Sequence, residues 1–180
     1  MLRGDTVLLR PLKRSDITNF LKWNNDPEVI QYLAMYLPMT EMAQEKLIED
    51  AASRIQAGTG VIFIIEVIEG NSSKPIGPVA LNGINPRDHN ATFGISIGEK
   101  DYWGKGYGTE ATRLILDYGF QQLNLHRISS SVLAFNERSI RLHKKVGFKE
   151  EGLQREAIFQ NGRFHDHVMF GILRDEWKGH

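Results

Sequence analysis

Cysteine is absent from the 180-residue chain, and its absence removes several classes of chemistry at once. Without a thiol, the chain can form no disulfide, hold no thiolate-bound metal and use no cysteine nucleophile. Any group transfer must therefore be direct or use another residue. A chain without disulfides also fits the reducing cytoplasm, which is the location we expect.

Neither sign of charge is in excess, and long apolar runs are missing. Lys and Arg number 22 and so do Asp and Glu, so no overall basic field predicts nucleic acid as a direct partner. No apolar run approaches the length of a membrane span, and the first ten residues lack the apolar core of a signal peptide. Hydrophobic residues make up 41% of the chain, which is ample for a core. We expect one domain over residues 1–180, with no membrane partner.

Glycine is concentrated in one stretch, which reads Y-W-G-K-G-Y-G-T-E-A over residues 102–111. A strand-like run precedes it and a helix-like run follows it. Glycine lets the backbone approach a ligand closely and adopt positive φ, and the first turn of a helix presents unpaired N–H groups at its positive end. The stretch predicts a strand, a tight turn and a helix start that bind a phosphate-bearing cofactor.

Spacing separates the possible identities of this loop. A Walker loop requires Gly, four residues and then Gly-Lys-Ser/Thr, whereas Gly104-Lys105 is followed by glycine and has no glycine five residues earlier. Gly106, Gly108 and Ala111 do fit the dinucleotide pattern G-x-G-x-x-G/A. That pattern, however, follows its strand at once and wants an acid roughly 20 positions later, where this chain has residues 128–131. A dinucleotide site and a purely structural turn both stay open as minor alternatives.

The residue pattern predicts an α+β fold in which helices cover a mixed sheet. Predicted strands cover residues 6–9, 61–68, 76–81, 91–98 and 127–133, and a final hairpin starts at 148, turns at 161–162 and returns over 164–173. Ser15-Asp16 are the predicted cap of a first helix, and further helices are predicted over 40–57, 106–123 and 136–146. The middle strands follow one another closely and predict an antiparallel meander. The later strand, helix, strand order predicts one parallel pair.

The first long helix has a predicted cap and a predicted apolar face. Thr40 is the expected N-cap, and Met42, Leu47, Ala51 and Ile55 are expected to contribute to one buried face. Six acids accompany a single lysine, Lys46, between residues 26 and 50. We favour a solvated surface for them, and a surface that attracts a cationic substrate is the alternative.

Two other groups of polar residues have mainly structural interpretations. Glu110 lies just inside the helix that follows the glycines, where capping the positive helix end is its expected role. His165 and His167 alternate along the last strand and so share a face. They lack an evident third ligand, so we expect no metal site and place them near the substrate mouth.

Two motifs, together with the order of the elements, resemble the GNAT superfamily of acetyl-CoA-dependent N-acetyltransferases over nearly the whole chain. The loop 104–109 is similar to the family signature Q/R-x-x-G-x-G/A, with Gly106 and Gly108 as its glycines. Trp103 stands where that signature opens with Gln or Arg, as is common in the branch resembling ribosomal-protein N-terminal and spermidine acetyltransferases. Residues 136–148, N-E-R-S-I-R-L-H-K-K-V-G-F, are similar to the family helix N-x-x-S/A-x-x-L-Y-x-K-x-G-F.

The resemblance implies a GNAT-type sheet with a splayed parallel pair, and acetyl-CoA as cosubstrate without a metal. The pantetheine arm would lie between residues 93–99 and 128–133. The residues expected to hold the cofactor are Ile97, Gly104, Lys105, Gly106, Tyr107, Gly108, Thr109, Asn136, Arg141 and Lys144. Backbone amides of the loop would bind the pyrophosphate, with Lys105 adding a long-range charge. Arg138, Arg141, Lys144 and Lys145 would form a basic neighbourhood for the nucleotide phosphates, and for each of them solvation of the helix surface is the alternative.

The reaction implied by the resemblance is direct attack of an amine on the thioester. A backbone N–H near Ile97 is the expected oxyanion donor. His143 stands where many members have a Tyr that protonates the leaving thiolate, and an imidazole with an ordinary pKa of about 6.5 can do the same; lining the site is the alternative. Many relatives carry a Glu base at the place of Thr92, which cannot act as one, and Ser96 is the candidate to hold a water instead.

The acceptor is the least determined part of this prediction. By similarity we favour a protein N-terminal amine, as for ribosomal-protein acetyltransferases. A polyamine or small amine is the alternative if the acidic residues between 26 and 50 border the cleft. A non-catalytic acyl-CoA-binding module is a further alternative, and a homodimer stays open.

Overall fold

A computed structural model describes residues 1–33, 35 and 38–179. The strands are β1 Leu2–Arg3, β2 Val7–Pro11, β3 Gly60–Glu69, β4 Ser72–Asn85, β5 Asn90–Ile95, β6 Arg127–Leu133, β7 Lys149–Gln160 and β8 Arg163–Leu173. The helices are α1 Ile17–Asn24, α2 Pro27–Ile30, α3 Glu41–Gln56, α4 Tyr107–Gln121 and α5 Glu137–Val146. Short 3₁₀ turns lie at Arg14–Asp16, Lys100–Tyr102 and Arg174–Glu176.

All eight strands form one sheet in the order β1-β2-β3-β4-β5-β6-β8-β7. Neighbouring strands are antiparallel except β5 and β6, which α4 connects as a crossover. The predicted mixed fold is therefore confirmed, including its single parallel pair. Strand β6 has the predicted bounds, whereas β4 is longer and β5 is shorter than predicted.

Helices pack on both faces of the sheet, because alternate strand residues are apolar on both sides. On one face, here called the α4 face, Leu81, Ile115 and Ile128 belong to the main core, and α4 contacts α5. On the opposite face, here called the α1 face, Phe20 and Trp23 pack on Ile64. Helix α3 contacts β3.

The predicted helix caps at two positions are confirmed. The side chain of Thr40 accepts a hydrogen bond from the Ala43 N–H at 3.2 Å and begins α3. That of Asn136 accepts one from the Ser139 N–H at 3.1 Å and begins α5. Gly147 ends α5 with φ 111°, a conformation that favours glycine.

Two local predictions are wrong. Asp16 does not cap α1 with its side chain; its carboxylate accepts the Lys13 N–H and binds Arg10 instead. The predicted face of α3 is wrong at Met42, Leu47 and Ile55, which are 80%, 43% and 43% exposed, and right at Ala51, which is buried. The buried residues of this helix include Gln44 and Ala51, which are seven residues apart. Gln44 is polar, but its side-chain oxygen accepts a hydrogen bond from the Asn24 amide, so it can lie in the buried stripe.

Within the described residues, none of the helices is both long enough and apolar enough to span a bilayer.

Candidate active site

Strands β5 and β6 separate after a short stretch of pairing. They pair at three positions, of which Thr92 opposite Ser129 is the last. Beyond it, β5 continues to pair with β4, and β6 pairs with β8. The predicted gap in the parallel pair is therefore present, and a cavity of about 830 Å³ is lined by residues from both of its sides.

The glycine-rich loop forms the wall of this cavity on the α4 face. Gly104 and Gly106 have φ values of 76° and 94°, and a Cβ added at either would meet nothing within 4 Å. The N–H groups of Thr109 and Glu110 donate to the Gly106 carbonyl. Among the described residues, the N–H groups of residues 104–108 have no backbone acceptor. A run of free N–H groups at the start of α4 forms an anion site.

Trp103, the departure from the family signature, connects this loop to the end of β5. Its indole Nε1 donates to the Ile97 carbonyl oxygen at 2.7 Å. The Arg138 guanidinium lies over its ring, 4.3 Å from the centroid, and the Tyr32 ring lies edge-on at 6.2 Å. Trp103 and Tyr32 were not predicted to lie at the site, whereas Arg138 was expected near the nucleotide phosphates. A Trp in place of Gln or Arg indicates that another donor is needed at this position.

The basic residues of α5 divide between the cavity and the outer surface. Arg138, Arg141 and Lys145 line the cavity, and Arg141 also contacts Glu137 at 3.1 Å. Lys144, which the sequence placed at the cofactor, is outside the lining and pairs with Glu150 at 3.0 Å because it faces β7.

Two predicted loop side chains also lie outside the lining. The Lys105 ammonium is over the Tyr102 ring at 5.5 Å, and the Tyr107 ring packs on the same ring at 5.8 Å. Only their backbone groups are available to an anion in the loop. Asn136 and Thr109 do line the cavity.

His143 is almost completely buried on the α4 face, with 2% of its surface exposed. Its Nδ1 lies 2.7 Å from the Ser139 carbonyl and its Nε2 lies 2.9 Å from the Ser130 hydroxyl. A carbonyl can only accept, so Nδ1 carries the proton and Nε2 accepts from Ser130. The ring stacks on Phe170 with centroids 5.0 Å apart. Burial lowers the pKa of His143, opposed by its bond to Ser139, so the imidazole is neutral at neutral pH.

The end of β5 carries the predicted oxyanion donor. The N–H groups of Ser96 and Gly98 donate to Pro78 and Ile76 of β4. Because N–H groups alternate in direction along an extended segment, the Ile97 N–H is directed away from β4 and toward the gap. Ser96 and Ile97 both line the cavity, so the two predicted residues lie together there.

The part of the cavity on the α1 face is mainly apolar. Its apolar and aromatic lining residues include Val29, Tyr32, Leu33, Ile62, Ala80 and Leu133, and its polar members are Asn82, Ser96, Ser131 and His167. Among the described residues, the lining includes no Asp or Glu side chain.

The acidic residues between 26 and 50 are largely occupied elsewhere. Asp26 and Glu28 both pair with Lys100, at 2.9 and 2.8 Å, and Asp50 pairs with Lys46 at 2.7 Å. The favoured interpretation, a solvated and ion-paired surface, agrees with this arrangement.

Thr92 and Glu110 lie away from the reacting region. Thr92 is exposed and outside the cavity lining. The Glu110 carboxylate accepts the Thr6 N–H at 2.9 Å, and it therefore connects α4 to the chain that enters β2. Burial opposes its ionisation, but the hydrogen bonds from Thr6 and Val7 hold its pKa below the usual value.

His165 and His167, which the sequence predicts on one face of the last strand, have different surroundings. His167 lines the cavity, whereas the Nε2 of His165 lies 3.1 Å from the Gln160 carbonyl and outside the lining. Within the described part of the chain, no cluster of three or more His, Cys, Asp or Glu side chains could hold a metal ion.

Free N–H groups, cavity-lining cations and an elongated gap together fit acetyl-CoA. The N–H groups of the loop match a pyrophosphate, and the three α5 cations match the other phosphates. The gap leaves strand-edge groups such as the Ile97 N–H available to an amide-bearing pantetheine arm.

Comparison with known proteins agrees with this fit. The sequence profile of the family described as Acetyltransferase (GNAT) domain matches residues 6–149. The uncharacterized N-acetyltransferase p20 of Bacillus licheniformis is 32% identical over 182 residues, which cover 99% of this chain and 98% of that protein. YdaF of Bacillus subtilis (strain 168), whose assignment as a ribosomal N-acetyltransferase is provisional, is 34% identical over 103 residues, covering 57% of this chain and 56% of that protein.

A solved structure is similar over the whole fold. The spermidine N-acetyltransferase of Vibrio cholerae in complex with CoA and spermine superimposes with a TM-score of 0.85 and 29% identity, covering 96% of this chain and 98% of that one.

Proposed function

Because this chain belongs to the GNAT superfamily and is an acetyl-CoA-dependent N-acetyltransferase, we propose that its acceptor is the N-terminal amine of a protein or peptide. The single observation that carries this proposal is the lining of the cavity, which contains no carboxylate among the described residues. An N-terminal acceptor places a single amine at the reacting centre, and the residues that follow it can lie along a largely apolar surface.

Electrostatics argues against a polyamine at the same place. Spermidine and spermine carry several positive charges, and each charge removed from water requires a paired anion. Among the described residues the cavity lining supplies no carboxylate for this purpose, and Asp26, which caps α2, and Glu28 of α2 are both paired with Lys100. YdaF is the relative whose provisional name agrees with a protein acceptor.

Residues on both faces of the sheet would take part in cofactor binding and in the reaction. The free N–H groups from Gly104 to Gly108 and the Arg141 side chain hold the cofactor phosphates. The side-chain oxygen of Asn136 caps α5, and its side-chain nitrogen is available to the pantetheine arm. The bound thioester supplies the acetyl group. The Ile97 N–H stabilises the oxyanion that forms on attack. Ser96, on the α1 face of the gap, holds a water close to the amine.

We assign His143 a supporting role. Its Nδ1 proton is bonded to Ser139 and its Nε2 accepts from Ser130, so the neutral ring has no free proton for a leaving thiolate. It instead fixes the Ser130 hydroxyl at the cavity wall. A thiolate is a tolerable leaving group and can depart without a dedicated acid.

One specific observation favours a polyamine acceptor as the second candidate. The Vibrio cholerae structure with CoA and spermine matches this chain over its whole fold. The acceptor preference therefore needs a direct measurement.

A free-thiol assay with matched acceptors tests the proposal. The panel contains a short peptide with a free N-terminus, the same peptide with a blocked N-terminus and one internal lysine, spermidine and spermine. We expect kcat/KM for the free N-terminus to exceed that of either polyamine by at least about tenfold, which corresponds to about 1.4 kcal/mol. A higher kcat/KM for spermidine would overturn the proposal, and preference for the internal lysine would replace the N-terminal amine by a side-chain amine.

A further inference from the structure

His167 lies level with the reacting region, on the face away from the cofactor loop. It pairs with Leu133 of β6. Thr92 and Ser129 are the last paired residues of β5 and β6, so Ser96 and Leu133 each follow that pair by four residues, on opposite sides of the gap. Side chains alternate along strands, so Ser96, Leu133 and His167 all project on the α1 face. All three line the cavity, as does Ile97.

The chemistry of the lining leaves few groups that can accept a proton. The three α5 cations and the two tyrosines of the lining are excluded as bases, because a guanidinium, an ammonium and a phenol all carry their protons at neutral pH. The lining of the described chain contains no carboxylate. His143 already accepts the Ser130 proton, and its partners Ser130 and Phe170 are on the α4 face.

We propose that His167 is the general base that accepts the proton of the acceptor amine, directly or through a water held by Ser96. The amine nitrogen forms a bond to the acetyl carbon, the C–S bond breaks with its electron pair on sulfur, and the proton lost by nitrogen passes to an imidazole nitrogen of His167. Solvent then removes that proton, and the thiolate takes one. Burial lowers the pKa of His167, which keeps its ring neutral and able to accept at neutral pH. The inference does not depend on which amine is acetylated.

The test compares His167→Ala with the matched control His165→Ala. His165 is on the same strand and the same face, but its Nε2 lies 3.1 Å from the Gln160 carbonyl and it is outside the cavity lining. We expect His167→Ala to lower kcat by at least about 100-fold, the usual contribution of a general base. Its Kd for acetyl-CoA, measured by calorimetry, should change less than about twofold. His165→Ala should retain the parent kcat.

Rescue distinguishes a base from a contact residue. Added imidazole should raise the kcat of His167→Ala by about tenfold or more, because the truncated side chain leaves space for it. His167→Gln keeps the volume if the alanine variant does not fold, and should show the same loss without rescue.

Three outcomes would overturn the proposal. The first is a His167→Ala or His167→Gln enzyme that keeps more than about a third of the parent kcat. The second is a loss expressed only in KM for the acceptor, which would make His167 a binding residue. The third is a folded His167→Ala that binds acetyl-CoA normally but gains nothing from imidazole.

Discussion

The indole Nε1 of Trp103 donates a 2.7 Å hydrogen bond to the carbonyl oxygen of Ile97. This bond joins the glycine-rich loop to the free end of β5, beyond the last β5–β6 pair. It therefore fixes the segment whose Ile97 N–H is directed into the gap. Trp103 stands in place of the Gln or Arg of the family signature, and its indole N–H is a hydrogen-bond donor at the start of the glycine-rich loop.

Trp103→Phe should weaken acetyl-CoA binding while leaving the ring contact with Arg138 in place. The variant loses one hydrogen bond, which contributes about 1 kcal/mol, so we expect Kd to rise about fivefold. Calorimetry measures it, and Trp177→Phe is the control, because its Nε1 bonds Asp117 at the other end of α4. Equal affinities of the parent and Trp103→Phe would contradict the proposed coupling.

Gly108→Val should impair the cofactor site through helix packing. A Cβ at this position would lie 3.2 Å from Cδ1 of Leu142 and 3.8 Å from side-chain atoms of Ile95 and Ile97, so a branched side chain would push α4 from α5. We expect Kd for acetyl-CoA to rise about tenfold or more. Gly60→Ala is the control, since a Cβ there would come no closer than 3.4 Å to any neighbouring atom and Gly60 is outside the cavity lining. Unchanged binding in a folded Gly108→Val protein would remove this turn of α4 from the cofactor site.

Sequence reasoning predicted most of the fold because its signals are local. Thr40 and Asn136 are caps that bond backbone groups three residues away, and Gly147 is required by its own φ. The gap between β5 and β6 followed from the two motifs around a crossover. These features depend on short segments whose residue types have one usual conformation.

The parts that sequence reasoning missed depend on contacts between distant segments. The Arg138 guanidinium lies on Trp103, 35 positions away, and nothing in the helix pattern of α5 separates Arg138 from Lys144, which faces β7. The α3 stripe was misplaced because Gln44, a polar residue, is buried by a bond to Asn24. His167 differs from His165 because it pairs with Leu133 of β6 and lines the cavity, whereas His165 lies beyond the last β6–β8 pair.

His143 should make the protein less stable as the pH falls. Burial lowers its pKa in the folded state, so the unfolded chain, with an ordinary pKa of about 6.5, binds the proton more readily. The stability is therefore full above pH 6.5 and is lost progressively as the pH falls from about 6.5 toward the lowered pKa. His143→Gln should flatten this part of the curve of unfolding free energy against pH, measured by urea titration. Parallel curves for the parent and the variant between pH 5 and 7 would show that the buried ring does not titrate as described.

The fold also rests on a buried charge cluster that is separate from the site. Arg10 binds Asp16 through two bonds, at 2.8 and 2.7 Å, and Glu66 at 2.6 Å, with 8% of Arg10 exposed. Arg10→Met would leave two carboxylates buried without their partner, which should lower the unfolding free energy by about 3–5 kcal/mol. Adding Asp16→Asn and Glu66→Gln to this variant should recover part of the loss, because the uncompensated charges then disappear. Lys46→Met removes the exposed pair with Asp50 and should leave the urea midpoint unchanged. If Arg10→Met matched Lys46→Met, the cluster would contribute no more than a surface ion pair.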